Sequence, residues 1–122
     1  MNEVLEIVRK IAEERGFKTR SLNNNKVEII ATDEVPISLL VVKEDNKLVL
    51  KLSFEGLGDY LREIKDSGED LEDIINDALE DLKGLAVTIT NKLRNSGISI
   101  TSHIREGELD ILDLLDEVKE EE

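Results

Sequence analysis

Cysteine, tryptophan and glutamine are absent from this 122-residue chain, and histidine, methionine and proline occur once each, as His103, Met1 and Pro36. Without cysteine there is no thiolate nucleophile, no disulfide and no thiolate metal site, and one histidine cannot build an imidazole-ligated metal centre. Most familiar enzyme chemistries thereby lose their reagents. Long hydrophobic runs are missing too. The stretch Leu39 to Val42 falls far short of the roughly 20 residues a spanning helix needs, and Met1-Asn2-Glu3 lacks a charged-then-apolar leader. The expectation is a cytoplasmic protein with no membrane partner. Aromatics are limited to Phe17, Phe54 and Tyr60, yet 18 Leu, 13 Ile and 9 Val supply an aliphatic core for one domain over residues 1–122. No repeat, low-complexity block or Pro/Gly/Ser linker divides the chain.

The net charge of −13 is unevenly spread. Residues 1–54 are neutral, with nine acids and nine bases. Residues 55–81 carry eleven acids against Arg62 and Lys65, residues 82–105 carry four bases and no acid, and residues 106–122 carry nine acids against Lys119. A negative field repels phosphate backbones and anionic headgroups, so no direct nucleic-acid partner is expected. Acidic helix faces confer solubility and, in a sharper reading, attract a basic protein partner through fast, salt-sensitive association.

Val4, Leu5, Val8, Ile11 and Ala12 recur with helical period behind the cap Asn2, predicting a helix over 3–15 that stops at Gly16. The period then changes. Residues 26–32, 36–43 and 47–54 read as a three-stranded antiparallel meander, and 17–22 as a further short strand or a loop. In the middle run Ile37, Leu39, Val41, Leu40 and Val42 make both faces apolar, so that strand is central and the second face of its sheet needs cover from helices or a second subunit. A short helix over 59–65 is capped by Asp59, and Ser67 with Asp70 resembles a capping box opening a longer one. Leu71, Ile75, Ala78, Leu82, Leu85, Ile89 and Leu93 continue as a helical stripe to Ser96-Gly97, although the segment after Gly84 also alternates with period two. Residues 98–104 read as a strand returning to the sheet, with Arg105-Glu106-Gly107 as its turn. Leu109 to Val118 reads as an amphipathic helix, with 108–111 as a competing strand start. The fold class is α+β, with an antiparallel sheet of four or five strands, helices packed on it, and the order α-β-β-β-α-α-β-α.

Candidate chemistry is sparse. Gly56-Leu57-Gly58 follows a strand and opens a helix, but Leu61 holds the third glycine position of a dinucleotide turn and Asp59 would face the pyrophosphate, so it reads as a plain turn. His103 lies beside Ser99 and Thr101 on a polar strand face with no nucleophile elbow, which reads as an exposed histidine. Carboxylates at helical spacing over 66–81, with Asp70, Asp73 and Asp77 as candidate ligands, present the geometry by which helices offer ligands to Mg²⁺, and equally that of a solvated helix face.

A first helix, a three-stranded meander, a long helix, a return strand and a terminal helix, in a small and strongly acidic chain, resembles the fold of type III secretion chaperones and related small α/β proteins. The resemblance covers almost the whole chain in element order and rests on no motif, so it carries over no functional residue. It implies a homodimer that holds segments of other proteins, and a second strand near 108–113. The function expected is a non-enzymatic protein-interaction module, chaperone-like or adaptor, acting as a homodimer without cofactor, with Leu85, Ile89 and Leu93 as contact candidates. The alternative is a divalent-metal-binding regulatory protein or metal-dependent hydrolase using the carboxylates of 66–81. A third reading is an acidic mimic that occupies a basic nucleic-acid-binding protein.

Overall fold

Helix α1, Glu3–Glu14, buries Leu5, Val8, Ile11 and Ala12 on one face, and Asn2 Oδ1 accepts the Val4 N–H at 2.8 Å. Gly16, at a left-handed φ of 88°, ends it as the sequence predicts. The computed structural model describes residues 2–121. Five strands follow one another across a single sheet in chain order: β1 Lys18–Asn23, β2 Lys26–Ile30, β3 Ser38–Glu44, β4 Lys47–Ser53 and β5 Ser99–Ser102. The segment read as strand or loop is thus the edge strand β1. The Asn23 side chain accepts the Asn25 N–H at 2.8 Å to shape the turn into β2. Pro36, which has no N–H to give to a ladder, stays outside β3, so that strand opens at Ser38.

Strands β1 to β4 are antiparallel neighbours, as the meander predicts, but β5 lies parallel to β4. The sheet is mixed where an antiparallel one is expected. The reason is the connection: residues 54–98 fold into helices that carry the chain back along the sheet, the long crossover a parallel pair requires. Alternation within a strand reports its faces and not its direction.

Three boundaries differ from expectation. Helix α2 is Leu57–Ile64, opened by Gly56 at a φ of 82° with no side-chain cap, because burying Leu57 draws it into the helix. Asp59 sits in the first turn and pairs with Arg62 instead of capping. Helix α3 is Leu71–Leu93, and its cap is Asp70, which accepts from the Glu72 and Asp73 N–H groups. Ser67 belongs to a preceding 3₁₀ turn, where its hydroxyl donates to the Ile64 carbonyl at 2.6 Å. Helix α4, Ile104–Glu120, absorbs the expected turn at 105–107 and the segment 108–113 that the chaperone resemblance makes a strand. Gly107 is the reason: it does not stop the chain but lets α4 approach the sheet, a Cβ there standing 3.0 Å from Leu52 Cβ.

The 84–90 stretch is helical. Thr88 and Thr90 donate to the Gly84 and Ala86 carbonyls, so these β-branched residues satisfy their hydroxyls inside α3. All seven residues of the α3 stripe are buried. They pack with α1, α2 and α4 and with Val27, Ile29, Leu39, Val41, Leu48, Leu50 and Leu52, one face of the sheet, in a single aliphatic core. The architecture is two layers, helices on one side of a five-stranded sheet. Among the described residues no helix is long and apolar enough to cross a membrane.

Candidate protein-contact surface

The strand residues that alternate with the core face form a second sheet face, and register arranges them in rows. Lys26 stands beside Val42, Val49 and Thr101; Arg20 beside Glu28, Leu40 and Lys51; Lys18 beside Ile30, Ser38 and Ser53. Ile30, Leu40, Val42 and Val49 on these rows take no part in the helix-packed core. Ile30, Leu40 and Val42 are half-buried, and Val49 is buried, with 8% exposure. The central place of the doubly apolar strand is borne out, since β3 lies in the middle of the sheet with Leu39 and Val41 under the helices and Leu40 and Val42 on the other face, but among the described residues no helix supplies the cover expected there.

Polar groups on this face are matched locally. Glu28, with its side chain 14% exposed, receives the Arg20 guanidinium at 2.5 Å and the Ser38 hydroxyl at 2.8 Å. Lys18 pairs with Asp33 at the margin, and Lys47 with Glu44 at 3.8 Å. Beyond Ile30 and Ser38 the face runs into a cleft of about 320 Å³ bordered by Thr32, Asp33, Pro36 and Glu55.

A second apolar surface lies at the other side of the molecule. Ala86, Val87 and Thr90 of α3, with Leu50, Ser102 and Ile104, line a groove of about 350 Å³, and Val87 is 59% exposed. The predicted contact candidates Leu85, Ile89 and Leu93 lie elsewhere: all three are buried in the core of their own chain. Helical stripes of this kind face the nearest apolar layer, here the sheet. Val87 is the apolar side chain of this stretch left at the surface, and its position outside the stripe is why periodicity passed over it.

Asp70 uses its carboxylate as the α3 cap, while Asp73 and Asp77 are exposed on that helix. Among the described residues no group of three or more histidine, aspartate or glutamate side chains converges on a point where a metal ion would sit. His103 stands exposed at the α4 N-terminus, its Nδ1 2.8 Å from Glu106 Oε2. Tyr60, whose hydroxyl is raised above the usual phenol range by burial and by the nearby charges of Glu69 and Glu34, packs its ring against the core. Compared with known families, curated proteins and solved structures, the chain matches no family model, no curated protein and no solved structure.

Proposed function

We propose that the chain is a non-enzymatic protein-interaction module, chaperone-like or adaptor in character, which acts as a homodimer and uses the uncovered sheet face as its contact surface. The observation that supports this reading is the placement of the half-buried Ile30, Leu40 and Val42, beside Val49, on a sheet face that no helix covers among the described residues. Aliphatic side chains gathered on an open face favour association with another apolar surface. The dimer pairs α3 with its twin around Val87, which leaves the sheet face free for a client. This moves the twofold contact from Leu85, Ile89 and Leu93 to the outer side of the same helix.

Aggregation of a denatured client, such as reduced insulin chains, tests the first part. The wild-type chain is expected to suppress light scattering at comparable molar amounts, and Leu40→Ser with Val42→Ser to lose that effect while keeping native circular dichroism. Equal suppression by both proteins, or none by the wild type, overturns the sheet-face reading. Size-exclusion chromatography with light scattering tests the second part: a dimer that survives high salt and becomes a monomer in Val87→Glu is expected, because apolar interfaces resist screening. A wild-type monomer overturns the dimer.

A further inference from the structure

The sheet face differs in charge from the rest of the molecule. The chain carries −13 overall, yet this face bears Lys18, Arg20, Lys26, Lys47 and Lys51 against Glu28 and Glu44, with Asp33 and Glu55 at its margin. Two of these cations matter most. Lys26 on β2 and Lys51 on β4 flank the Leu40, Val42 and Val49 patch from opposite sides, and neither pairs with a carboxylate among the described residues. Glu28, the carboxylate nearest Leu40, is already engaged by Arg20 and Ser38. Helices α3 and α4, with the acids they carry, pack on the opposite face of the sheet. At physiological ionic strength the screening length is about 8 Å, so charges beyond the helix layer count for less at this face than Lys26 and Lys51 do.

We propose that this face docks an acidic amphipathic segment of a partner protein, with its aliphatic side chains on the half-buried Leu40 and Val42 and its carboxylates on Lys26 and Lys51. The proposal rests on the protein-contact reading of the same face and adds the chemistry of the partner. Charge complementarity selects this occupant over two others. A second copy stacked face to face by a twofold axis would set the cationic face against itself. Single-stranded nucleic acid needs aromatic platforms, and Phe17, Phe54 and Tyr60 all pack against the core on the helix side.

Fluorescence anisotropy with the full chain tests the proposal. The probes are an amphipathic peptide of about 15 residues with leucine on one face and glutamate elsewhere, its counterpart with lysine for glutamate, a third with serine for leucine, and an oligothymidylate. The glutamate–leucine peptide is expected to bind at least roughly tenfold more tightly than the other three, with an affinity that falls as salt rises. Lys26→Glu with Lys51→Glu is expected to weaken it by at least roughly tenfold and to shift preference toward the lysine peptide, whereas Leu40→Ser weakens both amphipathic peptides. Equal binding of both amphipathic peptides, with both weakened by Leu40→Ser, overturns the acidic partner and leaves the contact surface standing. Binding of neither, or binding that Leu40→Ser does not change, overturns both readings. Tighter binding of the oligothymidylate makes the face a nucleic-acid surface and overturns the proposal, as does self-association that the double charge reversal abolishes.

Discussion

At the scale of single residues, two glycines inside helices separate propensity from packing. Gly84 lies in the middle of α3, and a Cβ placed there meets nothing within 4 Å. Gly84→Ala is therefore expected to stabilise the protein by up to about 1 kcal/mol, since alanine loses less backbone entropy than glycine on entering a helix. Gly107 in α4 presents the opposite case. Its added Cβ would stand 3.0 Å from Leu52 Cβ, an atom fixed to the β4 backbone that cannot swing aside. The same gain in propensity is then opposed by overpacking that typically costs about 1–3 kcal/mol, so Gly107→Ala is expected to be destabilising. Urea denaturation of the two variants checks the contrast: midpoints moving in the same direction would show that the approach of α4 to β4 is not the constraint at Gly107. In sequence Gly84 interrupts a helical stripe and Gly107 stands just before one, and only the neighbour across the fold shows what each does, which is why 105–107 reads as a turn from the sequence and folds as helix.

At the scale of elements, what the sequence makes legible is what depends on periodicity. The α1 face, the α3 stripe and the doubly apolar β3 all follow from which residues recur, and all are found in place. What depends on a partner distant in the chain is not legible. The parallel setting of β5, the cap at Asp70 in place of Ser67 and the exposure of Val87 each follow from how elements meet. The contact between α2 and the end of α4 belongs to the same group. Arg62 Nε and Nη2 donate to Glu121 Oε2 and Oε1, each at 2.8 Å, and Lys65 donates to the Glu121 carbonyl. The Arg62 hydrogen bonds, and then its charge, hold the Glu121 carboxyl below the ordinary value of 4.5. A carboxylate whose folded value is depressed contributes stability that is present above 4.5 and lost as pH falls through the lower, folded value. The last turn of α4 should therefore loosen only in acid. NMR titration of the Glu121 side chain should show a midpoint below 4.5 that returns to the ordinary value in Arg62→Ala; an unchanged midpoint would mean the pair does not persist in solution.

At the scale of the whole molecule, the two layers carry charge differently. The acids of residues 55–81 and 106–122 lie mainly on α2, α3, α4 and their connections, where Lys83–Glu108 at 2.9 Å and Lys119–Glu72 at 2.5 Å link the elements but leave most of the described carboxylates without a cation partner. Exposed pairs of this kind contribute little, so repulsion within the helix layer is the larger effect and opposes the compact state. Raising ionic strength from about 10 mM to about 100 mM shortens the screening length from about 30 Å to about 10 Å, which weakens those repulsions more than the close pairs. The thermal midpoint is therefore expected to rise with salt, by a few degrees if roughly 1 kcal/mol of repulsion is relieved. Docking of an acidic segment on the cationic sheet face should weaken over the same interval, because screening there removes an attraction. The opposed signs in one titration distinguish segregated charge from a uniformly acidic surface, which would repel the segment and bind it more tightly as salt rises. A midpoint that falls with salt would show that the ion pairs between α3 and α4 outweigh the repulsion around them.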